Sequence, residues 1–255
     1  MDIAHGAGLF VAAAGAGGVD AIVGGGGLIL LPTLLVAFPA LPAATALGTN
    51  KLVGISGTST AALTYTRRTP VDKRVVLPAA ALAVLCAGLG ALSASALPTR
   101  VFRPVVMVLL TAVALFVVFR PAFGAEAGAA EAPRRRRIVT TVLAGAVIGF
   151  YDGIFGPGTG TFLIVCFTIG LCTEFVASSA MAKVVNTGTN LGALLVFAAE
   201  GHVMWLLGAG MALCNMTGAG LGSRLALKRG AGFVRAVLLV VVAVMVAKMG
   251  YDQFG

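Results

Sequence analysis

Gly149-Phe150-Tyr151-Asp152-Gly153-Ile154-Phe155-Gly156-Pro157-Gly158-Thr159-Gly160 sets a carboxylate one helical turn ahead of a glycine run, inside an otherwise apolar stretch. The same plan occurs 132 residues earlier (152 − 20) as Gly17-Gly18-Val19-Asp20-Ala21-Ile22-Val23-Gly24-Gly25-Gly26-Gly27. Neither copy suits an uninterrupted membrane helix, because successive glycines disfavour helix and a charge in hydrocarbon is costly. A helix broken or re-entrant at the glycines, and facing a polar cavity, meets both objections.

Composition points to the membrane. With 59% hydrophobic and 11% charged residues and a mean hydropathy of +1.02, the chain has too little polar surface to cover a soluble globule of its size. It reads as an all-α, multi-pass membrane protein, with apolar windows of about 20 residues, the length that crosses a hydrocarbon core, recurring from end to end. The start, Met1-Asp2-Ile3-Ala4-His5, carries no Lys or Arg; it lacks the basic region of a cleavable signal and reads as mature protein. A net charge of +9 would suggest nucleic acid in a soluble protein. Here the basic residues flank apolar segments, as the positive-inside rule requires, so no nucleic-acid partner is expected. Cys86, Cys166, Cys172 and Cys214 lack metal-ligand spacing and read as small hydrophobes; no metal or cofactor is expected.

The segments fall in two sets of four. The first set is Ala7 to Val36 (interrupted at Gly24 to Gly27), Ala43 to Tyr65, Val75 to Leu97 and Val101 to Phe119. The second is Ile138 to Gly170 (broken at Gly156-Pro157-Gly158), Thr173 to Ala199, Val203 to Leu227 and Phe233 to Gly250. The division is therefore a first repeat at 1–119, a basic cytoplasmic linker at 120–137 ending in Arg134 to Arg137, and a second repeat at 138–255. The 132-residue shift holds without a gap: it pairs Asp20 with Asp152, Gly24 with Gly156, Lys51 with Lys183, Ala87-Gly88-Leu89-Gly90 with Ala219-Gly220-Leu221-Gly222, and Arg103 with Arg235. A common register for both intramembrane acids and both intramembrane lysines is the mark of duplication.

Loop charge favours an inverted second repeat. Setting aside Lys51 and Lys183 leaves 16 of the 18 basic residues. If all eight segments cross, these divide 10 to 6 between the two sides; if segments one and five are re-entrant, so that each half crosses three times, they divide 13 to 3. The second split obeys the positive-inside rule better, and inverted repeats with broken helices meeting at the midplane are a recurrent transporter plan.

Lys51 and Lys183 sit mid-segment, too far from either end to snorkel, and an intramembrane ionisable residue marks a functional site by default. The competing reading is a purely structural pairing with Asp20 and Asp152. Around the lysines lie Thr49, Asn50, Ser56, Thr58, Ser59 and Thr60 in one half, and Ser178, Ser179, Asn186, Thr187, Thr189 and Asn190 in the other. An ion pair does not require so many donors, whereas a dehydrated anion does. Half-helix N-termini at Gly26, Gly158 and Thr159 add backbone N–H groups and a positive dipole end. Asp20 and Asp152 serve either to orient the lysines or to bind a proton. Glu200 and His202 read as loop residues, Tyr65 and Trp205 as interfacial anchors, and Glu174 as either a helix cap or dipole partner or a residue of transport.

The second glycine run with Thr161-Phe162, the Thr49-Asn50-Lys51 element, and Ala182-Lys183-Val184-Val185-Asn186 with Asn190-Leu191-Gly192-Ala193-Leu194 resemble the sulfite exporter family called TauE/SafE. The resemblance covers essentially the whole chain and is looser at the first glycine run. It implies export of sulfite, sulfoacetate or a related sulfur-containing anion across the inner (plasma) membrane. Residues and resemblance together lead to a secondary transporter whose substrate-binding set is Lys51, Lys183, Asn50, Thr49, Asn186, Asn190, Gly26, Gly158 and Thr159, around a central positive site. Its partners are a small anion and membrane lipid, and a homodimer is compatible with the sequence. An anion channel, or a transporter of thiosulfate, sulfate or a carboxylate, remains the alternative. An enzyme is disfavoured, since no nucleophile–base pair or metal cluster stands out.

The inverted arrangement makes a direct topological prediction. In a cysteine-free background, single cysteines at Thr69 and at Gly201 should label from opposite sides of the membrane; labelling from one side restores eight full spans.

Overall fold

The computed structural model describes residues 3–94 and 132–254. These form α1 (Ile3–Val23), α2 (Gly26–Ala37), α3 (Ala43–Thr66), α4 (Lys73–Ala94), α5 (Arg134–Ile154), α6 (Thr159–Leu171), α7 (Phe175–Ala199) and α8 (Trp205–Phe254). The expected segment Val101 to Phe119 and linker residues 120–131 lie outside the described residues. Elements recur at nearly one spacing: α3 and α7 begin 132 residues apart (175 − 43), and so do α4 and α8 (205 − 73).

The glycine runs break the helices where expected. Gly24 has φ +82° and Gly156 φ +83°, a left-handed conformation that L side chains resist. After each break the chain folds back. A Cβ on Gly170 would lie 2.2 Å from Thr140 Oγ1, and Arg136 Nη2 donates to the Ile169 carbonyl at 2.5 Å, so the end of α6 sits beside the start of α5 in a helical hairpin. In the first half, Gly26 lies so close to α1 that a Cβ would come 2.9 Å from the Ala16 carbonyl. The returning arms have 12 and 13 residues, about 18–20 Å at 1.5 Å per residue, too short to cross a hydrocarbon core of about 30 Å. The two hairpin tips meet: Thr161 Oγ1 donates to the Val23 carbonyl at 2.8 Å, and a Cβ on Gly24 would strike Gly160 at 2.2 Å.

The long helices α3 and α7 run antiparallel through the centre. The start of α3 meets the end of α7, where Thr45 Oγ1 and His202 Nδ1 are 3.2 Å apart and Met204 N–H donates to Thr49 Oγ1 at 3.0 Å. The other end of α3 is about 36 Å away, given 24 residues at helical rise. There Arg137 pairs with Asp72 at 3.5 Å, which brings the turn Arg134 to Arg137 beside the basic loop Arg67 to Arg74. Those four arginines belong to α5, not to an irregular linker; Pro133 (φ −61°) precedes the helix, and arginine is a good helix former.

On the outside, α4 packs on α5 and α7, while α8 packs on α1 and α3. Small residues let these backbones touch. Gly153 faces the Ala87 carbonyl, Gly192 the Val84 carbonyl and Gly218 the Ala14 carbonyl, each so closely that a Cβ would lie 2.1, 1.9 and 1.9 Å away. The contacts are reciprocal in the 132-residue register: Gly17 lies on Asn215 while Gly149 lies on Ala83, and Gly90 lies on Phe150 while Gly222 lies on Gly18.

One expectation needs correction. Tyr65 is not an interfacial anchor: it is fully buried, and its hydroxyl donates to the Ala21 carbonyl at 2.9 Å. The expected division between Val203 to Leu227 and Phe233 to Gly250 is present within α8: Gly230 is non-helical (φ 73°, ψ −169°) and separates two helices there. Of the described helices, Lys73–Ala94 and Arg134–Ile154 are long and apolar enough to cross a membrane by length and composition alone; α3 and α7 are longer, but polar residues facing inward lower their hydropathy.

Close backbone contact predicts sharp position dependence. Gly218→Val should lower thermal stability by about 1–3 kcal/mol or more through overpacking, whereas Gly8→Val, with nothing within 4 Å of its Cβ, should leave it unchanged. Unfolding midpoints of the purified proteins check this.

Candidate functional site

Each hairpin tip delivers an aspartate to a lysine of the other half. Lys51, from α3, is 2.7 Å from Asp152 Oδ2 and donates to the Asp152 carbonyl at 2.7 Å. Lys183, from α7, is 3.0 Å from Asp20 Oδ2 and donates also to the Asp20 carbonyl. The lysine side chains are 1% and 0% exposed, and those of Asp152 and Asp20 are 3% and 14% exposed, so these are buried pairs, with the Asp20 pair the looser. An ammonium has three donors; Lys183 spends two on Asp20, whereas Lys51 spends one on the Asp152 carbonyl and meets Oδ2 in an ion-pair contact without a hydrogen bond.

The other carboxylate oxygens cap the half-helices. Asp20 Oδ1 accepts from the Gly26 N–H at 3.2 Å, and Asp152 Oδ1 from Thr159 Oγ1 at 2.6 Å. Each helix start has four N–H groups without an intrahelical acceptor, and those of Gly27 and Gly160 have no protein acceptor among the described residues.

Between the tips lies a cavity of about 30 Å³, room for roughly two water-sized groups. Asp20, Gly26, Asn50, Lys51, Asp152, Thr159, Asn186 and Asn190 line it together with Gly54, Thr58 and Asn215. Thr49, Gly158 and Lys183 do not. Thr49 serves the chain by accepting the Met204 N–H, Gly158 supplies the left-handed N-cap of α6 (φ 83°), and Lys183 is turned onto Asp20. Asn186 and Asn190 are held in place by each other: Asn190 Nδ2 donates to the Asn186 carbonyl at 2.8 Å, and Thr189 Oγ1 to Asn186 Oδ1 at 3.0 Å. Asn50, 5% exposed, makes no hydrogen bond to the described residues, which leaves its amide for the cavity.

The charge differs from expectation. Two lysines and two aspartates cancel, so the centre is balanced rather than positive. What remains for a ligand is a set of neutral donors, amide groups and helix-start N–H groups; the lining hydroxyls of Thr58 and Thr159 have each donated their one proton within the protein.

A family model described as sulfite exporter TauE/SafE matches residues 9–249. The chain belongs to that family. Relatives include the probable membrane transporter protein ORF9 of Sinorhizobium sp, 40% identical over 91% of this chain and 87% of its own length. Another is the probable membrane transporter protein YfcA of Escherichia coli K12, 34% identical over 97% of this chain and 90% of its own. A probable membrane transporter protein of Haemophilus influenzae is 34% identical over 92% and 90%. No solved structure matches the chain. This TauE/SafE protein is therefore a membrane transporter, and the relatives are transporters by name, not enzymes.

Sequence reasoning missed Asn215. Its Nδ2 donates to the Ala13 carbonyl at 2.9 Å, and its Oδ1 lies where a Cβ on Gly57 would fall, 1.9 Å away. The available signal was a lone amide within the small-residue run of α8. Glu174 stands at the N-cap of α7 but makes no side-chain cap bond.

A double substitution separates orientation from charge. Lys51→Met leaves a buried carboxylate unpaired and should cost about 3–5 kcal/mol, while Lys51→Met with Asp152→Asn should recover most of that loss. Equal unfolding midpoints for the single and double variants would rule out the coupling.

Proposed function

We propose that this transporter exports a small sulfur-containing anion, sulfite or an organosulfonate such as sulfoacetate, across the plasma membrane from a central site between two inverted repeats. One observation carries the reading: two half-helix N-termini point into one small cavity lined by amide side chains. Aligned N–H groups and the positive dipole end favour an anion, and glycine allows the backbone to approach it closely. Asn50 and Asn186 supply further donors, Asn190 holds the Asn186 amide in place, and a remaining N–H of Lys51 completes them. Asp20 and Asp152 orient the lysines and hold the half-helices.

Inversion is supported by the reciprocal contacts in the 132-residue register and by the antiparallel course of the equivalent helices α3 and α7; Arg67 to Arg74 and Arg134 to Arg137 gather at one end of the bundle. With that end cytoplasmic, an inside-negative potential contributes about 2.3 kcal/mol per charge per 100 mV toward expelling an anion. Outward transport then has a driving force without any coupled ion. The family description supports a sulfur oxyanion over a carboxylate.

Thermal-shift titration of the purified protein with sulfite, sulfoacetate, sulfate, thiosulfate and carboxylates should single out a sulfur anion. Asn50→Ala and Asn186→Ala should stay monodisperse yet lose at least about ten-fold in affinity, as loss of a hydrogen bond to a charged ligand implies. Proteoliposome flux should saturate with substrate. Unsaturable flux would make the protein a channel, and unchanged binding in both asparagine variants would remove the site.

A further inference from the structure

A groove of about 410 Å³ runs along the outer side of the α5–α6 hairpin. Val139, Leu143, Val147, Phe162, Val165 and Ile169 line its length, and Arg136 stands at one end. A widened turn helps to open it. Over Leu143–Val147 the helix is π-helical, and the Ile148 N–H bonds the Leu143 carbonyl five residues back instead of four. Both Leu143 and Val147 face the groove. Such turns are frequent at functional sites. The matching stretch of α1, residues 11–15, is ordinary helix, so this feature belongs to the second half alone. At the basic end, contact between Thr140 and Gly170 brings the two arms together.

The chemistry changes abruptly along this surface. Beside the apolar floor stands the turn Arg134 to Arg137, in which Arg134, Arg135 and Arg136 are exposed. Arg137 is engaged with Asp72 at 3.5 Å. Arg136 gives one of its five guanidinium donors to the Ile169 carbonyl, which fixes the group at the mouth of the groove with donors to spare. A membrane transporter presents such a groove to lipid, and its basic end to the cytoplasmic leaflet, where anionic headgroups lie.

We propose that the α5–α6 groove holds an acyl chain of an anionic phospholipid whose headgroup phosphate is bound by Arg136 and its neighbours in the first turn of α5. Apolar length and terminal charge match the two parts of that one molecule. The site is separate from the central cavity and stands or falls independently of the exported anion.

The test titrates purified protein in detergent with phosphatidylglycerol or with phosphatidylcholine of the same acyl chains, reading the thermal midpoint. Half-maximal stabilisation should need about five-fold less phosphatidylglycerol, the factor expected for one basic contact. Arg136→Gln should abolish that preference. Val139→Trp fills the groove at a half-exposed position that the fold tolerates, and should weaken both lipids while leaving the protein monodisperse. Equal stabilisation of wild type by the two lipids overturns the proposal, as does undiminished lipid binding in Val139→Trp. Stabilisation by inorganic phosphate equal to that by phosphatidylglycerol also overturns it, because the groove would then contribute nothing.

Discussion

Crossed ion pairing between the halves, Lys51 with Asp152 and Lys183 with Asp20, is the constraint from which the centre of this molecule follows. A buried ion pair is poor evidence of net stability, since desolvation offsets most of the attraction. Its use here is register. Each lysine stands on a long helix of one half and grips both the carboxylate and the backbone carbonyl of an aspartate at the hairpin tip of the other. A shift of either hairpin by a turn would strand two charges in an apolar interior.

Glycine is required around that constraint for steric reasons. Gly156 adopts a left-handed conformation, and a Cβ there would sit 3.2 Å from Lys51 Nζ; a side chain would press on the ammonium that the aspartate must reach. Gly24 and Gly160 let the two tips meet. Farther out, the small residues of α4 and α8 bring whole helices to backbone contact, which is how helices associate where no hydrophobic force drives them together.

Neutralised lysines alter how the centre treats an anion. A bare pair of ammonium groups would bind any anion tightly and release it slowly, whereas release is part of transport. With each lysine already paired to a carboxylate, an anion bound as proposed would be held by helix N-termini and amides, and it would compete with aspartate for the remaining ammonium protons. The centre so arranged has complementarity for negative charge without a large net attraction. The outer groove has the opposite design, an apolar floor with charge at one end.

Sequence alone was sufficient for the class of molecule, the helix breaks and the buried acids and lysines of the centre, because each is a local or periodic property. Composition excludes a soluble globule, successive glycines cannot propagate a helix, and a charge in an apolar segment must face a cavity. The 132-residue register paired the acids and the lysines before any contact was known. Only the tertiary structure decided which acid meets which lysine, since the crossed pairing joins residues about 100 and 163 apart, with no local signal to choose it over pairing within a half. It also decided that the central charge is balanced, that Thr49 and Gly158 serve the chain while Asn215 faces the cavity, and that Tyr65 is buried on Ala21. Those outcomes depend on how hairpins, long helices and outer helices pack against one another, and a side chain's role is set by the neighbour that packing brings to it.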